Sequence, residues 1–179
     1  MAFPRMNMMS YWLYLPGGVL MLSSFLMPGG AAQSGWTSYP PLSIINPGQT
    51  MWLLSMVVLI TSSLLGAINF IVTTINMRAP GMSLWRMPVF CWAQFVTAVL
   101  LLLAFPPLEA ASILQLMDRV FHTSFYMPKD LVILGKAYAG SGGGQPLLWQ
   151  HLFWFLAHPE VYVLVLPPMG IVAEIIANN

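Results

Sequence analysis

The sequence predicts an all-α fold, a polytopic membrane bundle of four transmembrane helices belonging to a larger subunit, and three observations predict it. Hydrophobic residues make up 58% of the 179 positions and charged ones only 6%, against about 25% charged in an ordinary water-soluble domain. Mean hydropathy is +0.76. Four apolar stretches approach the roughly 20 residues that a helix needs to cross about 30 Å of hydrocarbon. Backbone groups in lipid must bond within their own segment, so stretches of this length are helices rather than strands.

The first span, residues 9–27, is short and interrupted by Pro16-Gly17-Gly18. Residues 51–77 hold no charge at all and form the second. The third, 87–114, is uncharged up to Pro106-Pro107. The fourth, 147–177, carries "HPEVYVLVLPP" at 158–168. Connectors alternate sides, with Arg5, Arg78 and Arg86 on one face and Arg119, Lys129 and Lys136 on the other. The short connector 78–86 has two arginines and no acid, which assigns it to the inner side and leaves 28–50 and 115–146 as outer loops. A net charge of +1 gives no electrostatic footprint for nucleic acid. Cys91, the single cysteine, can form no internal disulfide and is a packing residue. Both ends read as interruptions of a longer chain.

Residues three, four and seven apart share a helix face, so His151, Trp154, His158 and Tyr162 form one stripe. Glu160 lies about 200° round from His158 and addresses a different neighbour. The bland reading makes the histidine and tyrosine hydrogen-bond partners inside a bundle. A carboxylic acid at mid-membrane points the other way, because such a group is expensive and faces a water-filled path or a partner. Pro159, Pro167 and Pro168 remove backbone donors and free carbonyl oxygens. On the second span, Ser62, Gly66, Asn69, Thr73 and Asn76 make a polar or small stripe. Close helix packing accounts for it, and so does a chain of waters. Ser62 stands 15 residues from Met77 and Glu160 14 residues before Glu174, depths of about 22 and 21 Å from one surface. The stripe rises to the level of the acid.

Four motifs, "AFPRMN" at 2–7, "GWTSYPPL" at 35–42, "SSLLGAINFIVTTINMRAP" at 62–80 and "LLWQHLFWFLAHPEVYVLVLPPMGIVAEI" at 147–175, resemble subunit I of the haem-copper terminal oxidases, the cytochrome c oxidase family. The resemblance runs nearly end to end and corresponds to helices three to six of a subunit with about twelve. It implies that His158 is one of three histidine ligands to the active-site copper and that Tyr162 is joined to it covalently, donating an electron and a proton when the dioxygen bond breaks. It implies Glu160 as the acid at the inner end of the proton pathway, lined by Asn7, Ser10, Ser62, Ser63 and Asn69. Trp154 corresponds to an aromatic near the copper, and Trp36 to one near the haem propionates. The implied cofactors are copper and haem. The implied setting is a respiratory membrane, bacterial inner or mitochondrial inner, with subunits II and III, dioxygen, and cytochrome c or a quinol as partners.

Three departures stand out against that pattern: Ala157 where a glycine commonly precedes the histidine, Met8 where a second asparagine is common, and 128–140 as an insertion in an outer loop. The family's haem ligands, its other copper ligands and the entrance aspartate of its proton path have no match in 1–179. The resemblance therefore implies that this chain alone binds no haem and at most a weak, incomplete copper site. The rival reading is a metal-free proton or cation transporter, in which Glu160 and the Ser62 to Asn76 stripe carry the ion.

Overall fold

The computed structural model describes residues 1–133, 135–138 and 142–178. The expected insertion at 128–140 falls partly on 134, 139 and 140, which lie outside the described residues. Among these residues five α-helices follow in order: α1 (Pro4–Ser23), the single turn α2 (Leu42–Ile45), α3 (Gln49–Asn76), α4 (Val89–Val120) and α5 (Pro146–Asn178). A two-stranded antiparallel hairpin, β1 (Val132–Ile133) and β2 (Lys136–Ala137), sits between α4 and α5. By length and composition, α3, α4 and α5 can each cross a membrane. Helix α1 has 20 residues and is more polar, with Arg5, Asn7, Ser10, Tyr11 and Tyr14.

Helix bounds differ from the sequence reading in two places. Helix α1 begins at Pro4 rather than at residue 9, because proline at the first helical position presets φ and lacks only an N–H that would be unbonded there. It also runs through Pro16-Gly17-Gly18 before a short 3-10 turn, Ser24–Leu26. Helix α3 explains that continuity. Ser55 Oγ donates to the Gly17 carbonyl at 2.7 Å, and a Cβ on Gly17 would stand 2.7 Å from Leu59 Cδ2. Glycine is what allows the two backbones to approach. At the other site, residues 115–120, read as outer loop, are the last turns of α4. The segment "EAASILQLMDR" has good helix formers and no breaker after the proline pair.

The long helices pack in series, α1 on α3, α3 on α4 and α4 on α5. Leu53 and Ile60 of α3, Ala104, Leu108 and Ala111 of α4, and Trp149, Phe153, Leu156 and Ala157 of α5 form the common core. At the end next to the 78–86 connector, Phe90 N donates to Glu174 Oε2 at 3.2 Å. This partner satisfies one free donor in the first turn of α4 and sets the register of α5. Gly170 lies at the same crossing, where a Cβ would meet Ala93 Cβ at 2.8 Å.

At the opposite end a buried polar latch holds the 28–50 connector against α4. Gln115 Nε2 donates to Ser43 Oγ at 2.7 Å and to the Ser38 carbonyl at 3.2 Å, and Gln49 Nε2 donates to Gln115 Oε1 at 3.3 Å. Arg119 donates to Thr50 Oγ1 at 2.9 Å and to the carbonyls of Ser43 and Ile44. Beyond α4, Tyr126 is fully buried and donates to the Ala111 carbonyl at 3.1 Å. Burial, and secondarily the nearby Asp118, push its phenol above the ordinary range. The folded state therefore holds the Tyr126 proton more tightly than the unfolded one. Its contribution to stability is complete below the ordinary phenol value of about 10 and falls as pH rises above it. Tyr126→Phe is expected to shallow the alkaline limb of a stability-versus-pH curve, at a cost of about 1 kcal/mol at neutral pH for the lost hydrogen bond.

Candidate functional site

Helix α5 has an inward and an outward side, and the aromatic spacing creates both. Trp149 is fully buried, donates through Nε1 to the Thr37 carbonyl at 2.9 Å and stacks on Phe153 with centroids 6.0 Å apart. Tyr126 meets Trp149 edge-on at 5.7 Å. These contacts fix the rotation of the helix about its axis. With Trp149, Phe153, Leu156 and Ala157 turned to the core, His151, Trp154, His158 and Tyr162 emerge on the exposed side.

On that exposed side the His158 and Tyr162 rings are neighbours, with centroids 5.1 Å apart and planes at 76°. Trp154 Nε1 donates to the Tyr39 hydroxyl. Trp36 packs edge-on against Trp154 at 5.9 Å and tilted against Phe153 at 5.4 Å. The two tryptophans picked out by resemblance thus touch each other, and Trp154 lies about one turn of α5 from His158. Glu160 is exposed two residues further along. The surface offers an imidazole able to ligate a metal, a phenol able to give up a proton and an electron, and an aromatic floor.

The α3 stripe is a helix seam within this chain. Ser10 Oγ donates to the Ser62 carbonyl at 2.7 Å and Ser62 Oγ donates to the Ser10 carbonyl at 2.6 Å, a reciprocal pair. Gly66 leaves room beside it, since a Cβ there would stand 3.6 Å from Ser10 Oγ. Asn69 accepts from Phe3 N at 3.1 Å and donates to the Phe3 carbonyl at 3.3 Å, while Thr73 Oγ1 accepts from Ala2 N at 2.9 Å. Small residues allow the approach, and the hydroxyls and amide bond across it. Asn7 is half-buried one turn before Ser10, and Asn76 is exposed at the C-terminal end of the stripe.

The structure thus gathers Ser10, Ser62 and Asn69 into one seam, with Asn7 on the same helix. It does not bring Ser63 or Glu160 there. Ser63 faces α4, where it lines a cleft with Gln94 and Thr97. Glu160 belongs to α5, which packs on α4 rather than on the seam. A second acid within an apolar span joins α3 to α4: Thr61 Oγ1 and Glu109 Oε1 are hydrogen-bonded at 2.8 Å. A carboxylic acid inside an otherwise apolar span is the signal that could have found it.

A family model described as cytochrome C and quinol oxidase polypeptide I matches residues 1–179. The chain is 47% identical to cytochrome c oxidase subunit 1 of Synechocystis sp. over 178 residues, covering 98% of this chain and 30% of that protein. It is 49% identical to cytochrome c oxidase subunit 1 of Cereibacter sphaeroides over 184 residues, 99% of this chain and 30% of the relative. Against the alternative cytochrome c oxidase subunit 1 of Bradyrhizobium diazoefficiens the identity is 44% over 185 residues, 100% of this chain and 31% of the relative. The chain spans about three tenths of the length of these curated relatives.

Proposed function

The chain belongs to the cytochrome c and quinol oxidase polypeptide I family, and from that membership we propose that it is part of the catalytic subunit of a terminal oxidase that reduces dioxygen to water and couples this to proton translocation. The observation that carries the proposal is the His158 and Tyr162 ring pair, 5.1 Å apart on one side of α5. A four-residue spacing on a helix is what stands two such groups side by side. Their exposed face is where further helices of the longer subunit would dock, with α1 as a fourth crossing beside α3, α4 and α5.

The donor set fits a copper site in part. A neutral imidazole suits copper; His158 would hold the ion, and the remaining ligands would come from outside residues 1–179. Copper and haem, when bound, supply the electrons that reach dioxygen. Tyr162 stands one turn away to give up its phenolic proton and an electron, and Trp154 and Trp36 supply an apolar aromatic wall. Asn7, Ser10, Ser62, Ser63 and Asn69 are the polar groups this reading gives to proton delivery from the inner side, with Glu160 as its end. Ser10, Ser62 and Asn69 bond across the α1–α3 seam while Ser63 faces α4, so the link to Glu160 would need water and helices of the longer subunit. The partners on this reading are subunits II and III and an electron donor, cytochrome c or a quinol, in a respiratory membrane.

Tyr162→Phe in the full-length subunit tests the reading. The ring and its packing survive and only the hydroxyl is lost. Copper and haem content should match the parent while turnover falls at least about 100-fold, the scale of losing a group that acts in the chemical step. Turnover within twofold of the parent would overturn the role given to this phenol.

A further inference from the structure

We propose that Glu109 is a proton-binding site within the membrane: its carboxyl holds a proton and gives it in a hydrogen bond to Thr61, where α3 crosses α4 and apart from Glu160. Glu109 is the only Asp, Glu, Lys or Arg of α4 between Val89 and Met117. It stands 11 residues before Val120, and Thr61 stands 12 residues after Gln49, about 17 and 18 Å from the helix ends nearest the 28–50 connector. The two side chains therefore meet at one depth, inside two spans that hold no other ionisable group there.

One hydrogen sets the direction of this bond. Thr61 Oγ1 lies 2.8 Å from Glu109 Oε1 and also 2.8 Å from the carbonyl oxygen of Val57, in the preceding turn to which a helical threonine bonds back. A hydroxyl carries a single hydrogen, and a carbonyl can only accept. That hydrogen goes to Val57, so the donor in the other contact is the carboxyl. An acid with its proton can donate and an ionised carboxylate cannot. Charge leads to the same answer. Helix α3 holds no titratable side chain, and among the described residues no Lys, Arg or His bonds to Glu109. The next charged groups of α4 are engaged elsewhere, Asp118 with Thr123, Phe125 and Tyr126, and Arg119 with Thr50, Ser43 and Ile44. On α5, which also packs on α4, His151, His158, Glu160 and Tyr162 are on the exposed side and Glu174 accepts from Phe90 N. A charge without a partner inside a span is the costly case, and a carboxyl escapes it by keeping its proton.

Infrared spectroscopy of the full-length subunit in lipid nanodiscs at neutral pH tests the site without reference to metal or turnover. The difference between the parent and Glu109→Gln is expected to show the C=O stretch of one protonated carboxylic acid, and Glu160→Gln should leave that band in place. Glutamine keeps an N–H donor for Thr61, so the helix contact survives in the variant. In Thr61→Val the acid loses its acceptor and the band should shift in frequency. Carboxylate stretches in place of the acid band would overturn the proposal, as would an acid band that Thr61→Val leaves unmoved. Should Glu109→Gln fail to assemble, the comparison of the parent with Thr61→Val decides. Loss of the oxidase reading would leave this outcome unaffected.

Discussion

His158→Ala in the full-length subunit is expected to abolish stoichiometric copper binding and to lower turnover by well over 100-fold, more than the 10–100-fold typical of losing a group that merely supports a ligand. The structure makes the experiment clean. His158 is on the exposed side of α5, while Trp149, Phe153, Leu156 and Ala157 hold the helix to the core. Alanine is the strongest helix former and removes nothing that α4 touches. Lost activity would then report the site rather than the fold. Glu160→Gln supplies the contrast, since it keeps the size and shape of the side chain and removes only its ability to ionise. That variant should retain copper and haem spectra while proton uptake stops. Copper bound normally in His158→Ala would sink the oxidase reading. A transporter carrying ions at Glu160 predicts the opposite pattern, with transport surviving the loss of the imidazole.

The residues themselves explain what could be read from the sequence and what could not. Helix α3 was legible because 26 of its 28 residues fall inside the uncharged stretch 51–77, and in lipid such a stretch has one way to satisfy its backbone. The His158 and Tyr162 pairing was legible because spacing along a helix is geometry. The outward rotation of that pair was not, because it depends on Trp149 bonding to the Thr37 carbonyl, 112 positions away. The extra turns of α4 were hidden by Pro106-Pro107, which reads locally as a stop although the helix continues through it. Ser62 and Ser63 looked alike in sequence, and only the packing of α1 on one side and α4 on the other separates a bonded seam from an open cleft. The polar latch between the 28–50 connector and α4 was the least visible feature, since Gln49, Gln115 and Arg119 carry no periodic signal and meet only after folding.

The largest expected effect on stability belongs to Asp118, in the last turn of α4. Its carboxylate is 1% exposed and accepts from Thr123 Oγ1 at 2.6 Å, Phe125 N at 2.8 Å and Tyr126 N at 2.8 Å. One side chain thus folds the chain back where α4 ends, supplying the acceptors that two backbone donors would otherwise lack. Hydrogen bonds to a charged group contribute about 1.5–3 kcal/mol each, and an orphaned buried donor adds its own penalty. Asp118→Ala should therefore destabilise the subunit by about 3–5 kcal/mol once partial relaxation and entry of water are allowed for. Asp118→Asn should cost less, because its amide oxygen still accepts from one backbone N–H while its NH₂ opposes the other. The damage should also travel. Tyr126 is positioned by this turn and packs edge-on against Trp149, which sets the rotation of α5 and so the direction of His158. Thermal unfolding of the full-length subunit measures the first effect, and copper content at a temperature where the variant is still folded measures the second. A change under about 1 kcal/mol in Asp118→Ala would show that water replaces the carboxylate at this turn, and that the orientation of the site is held by α5 packing alone.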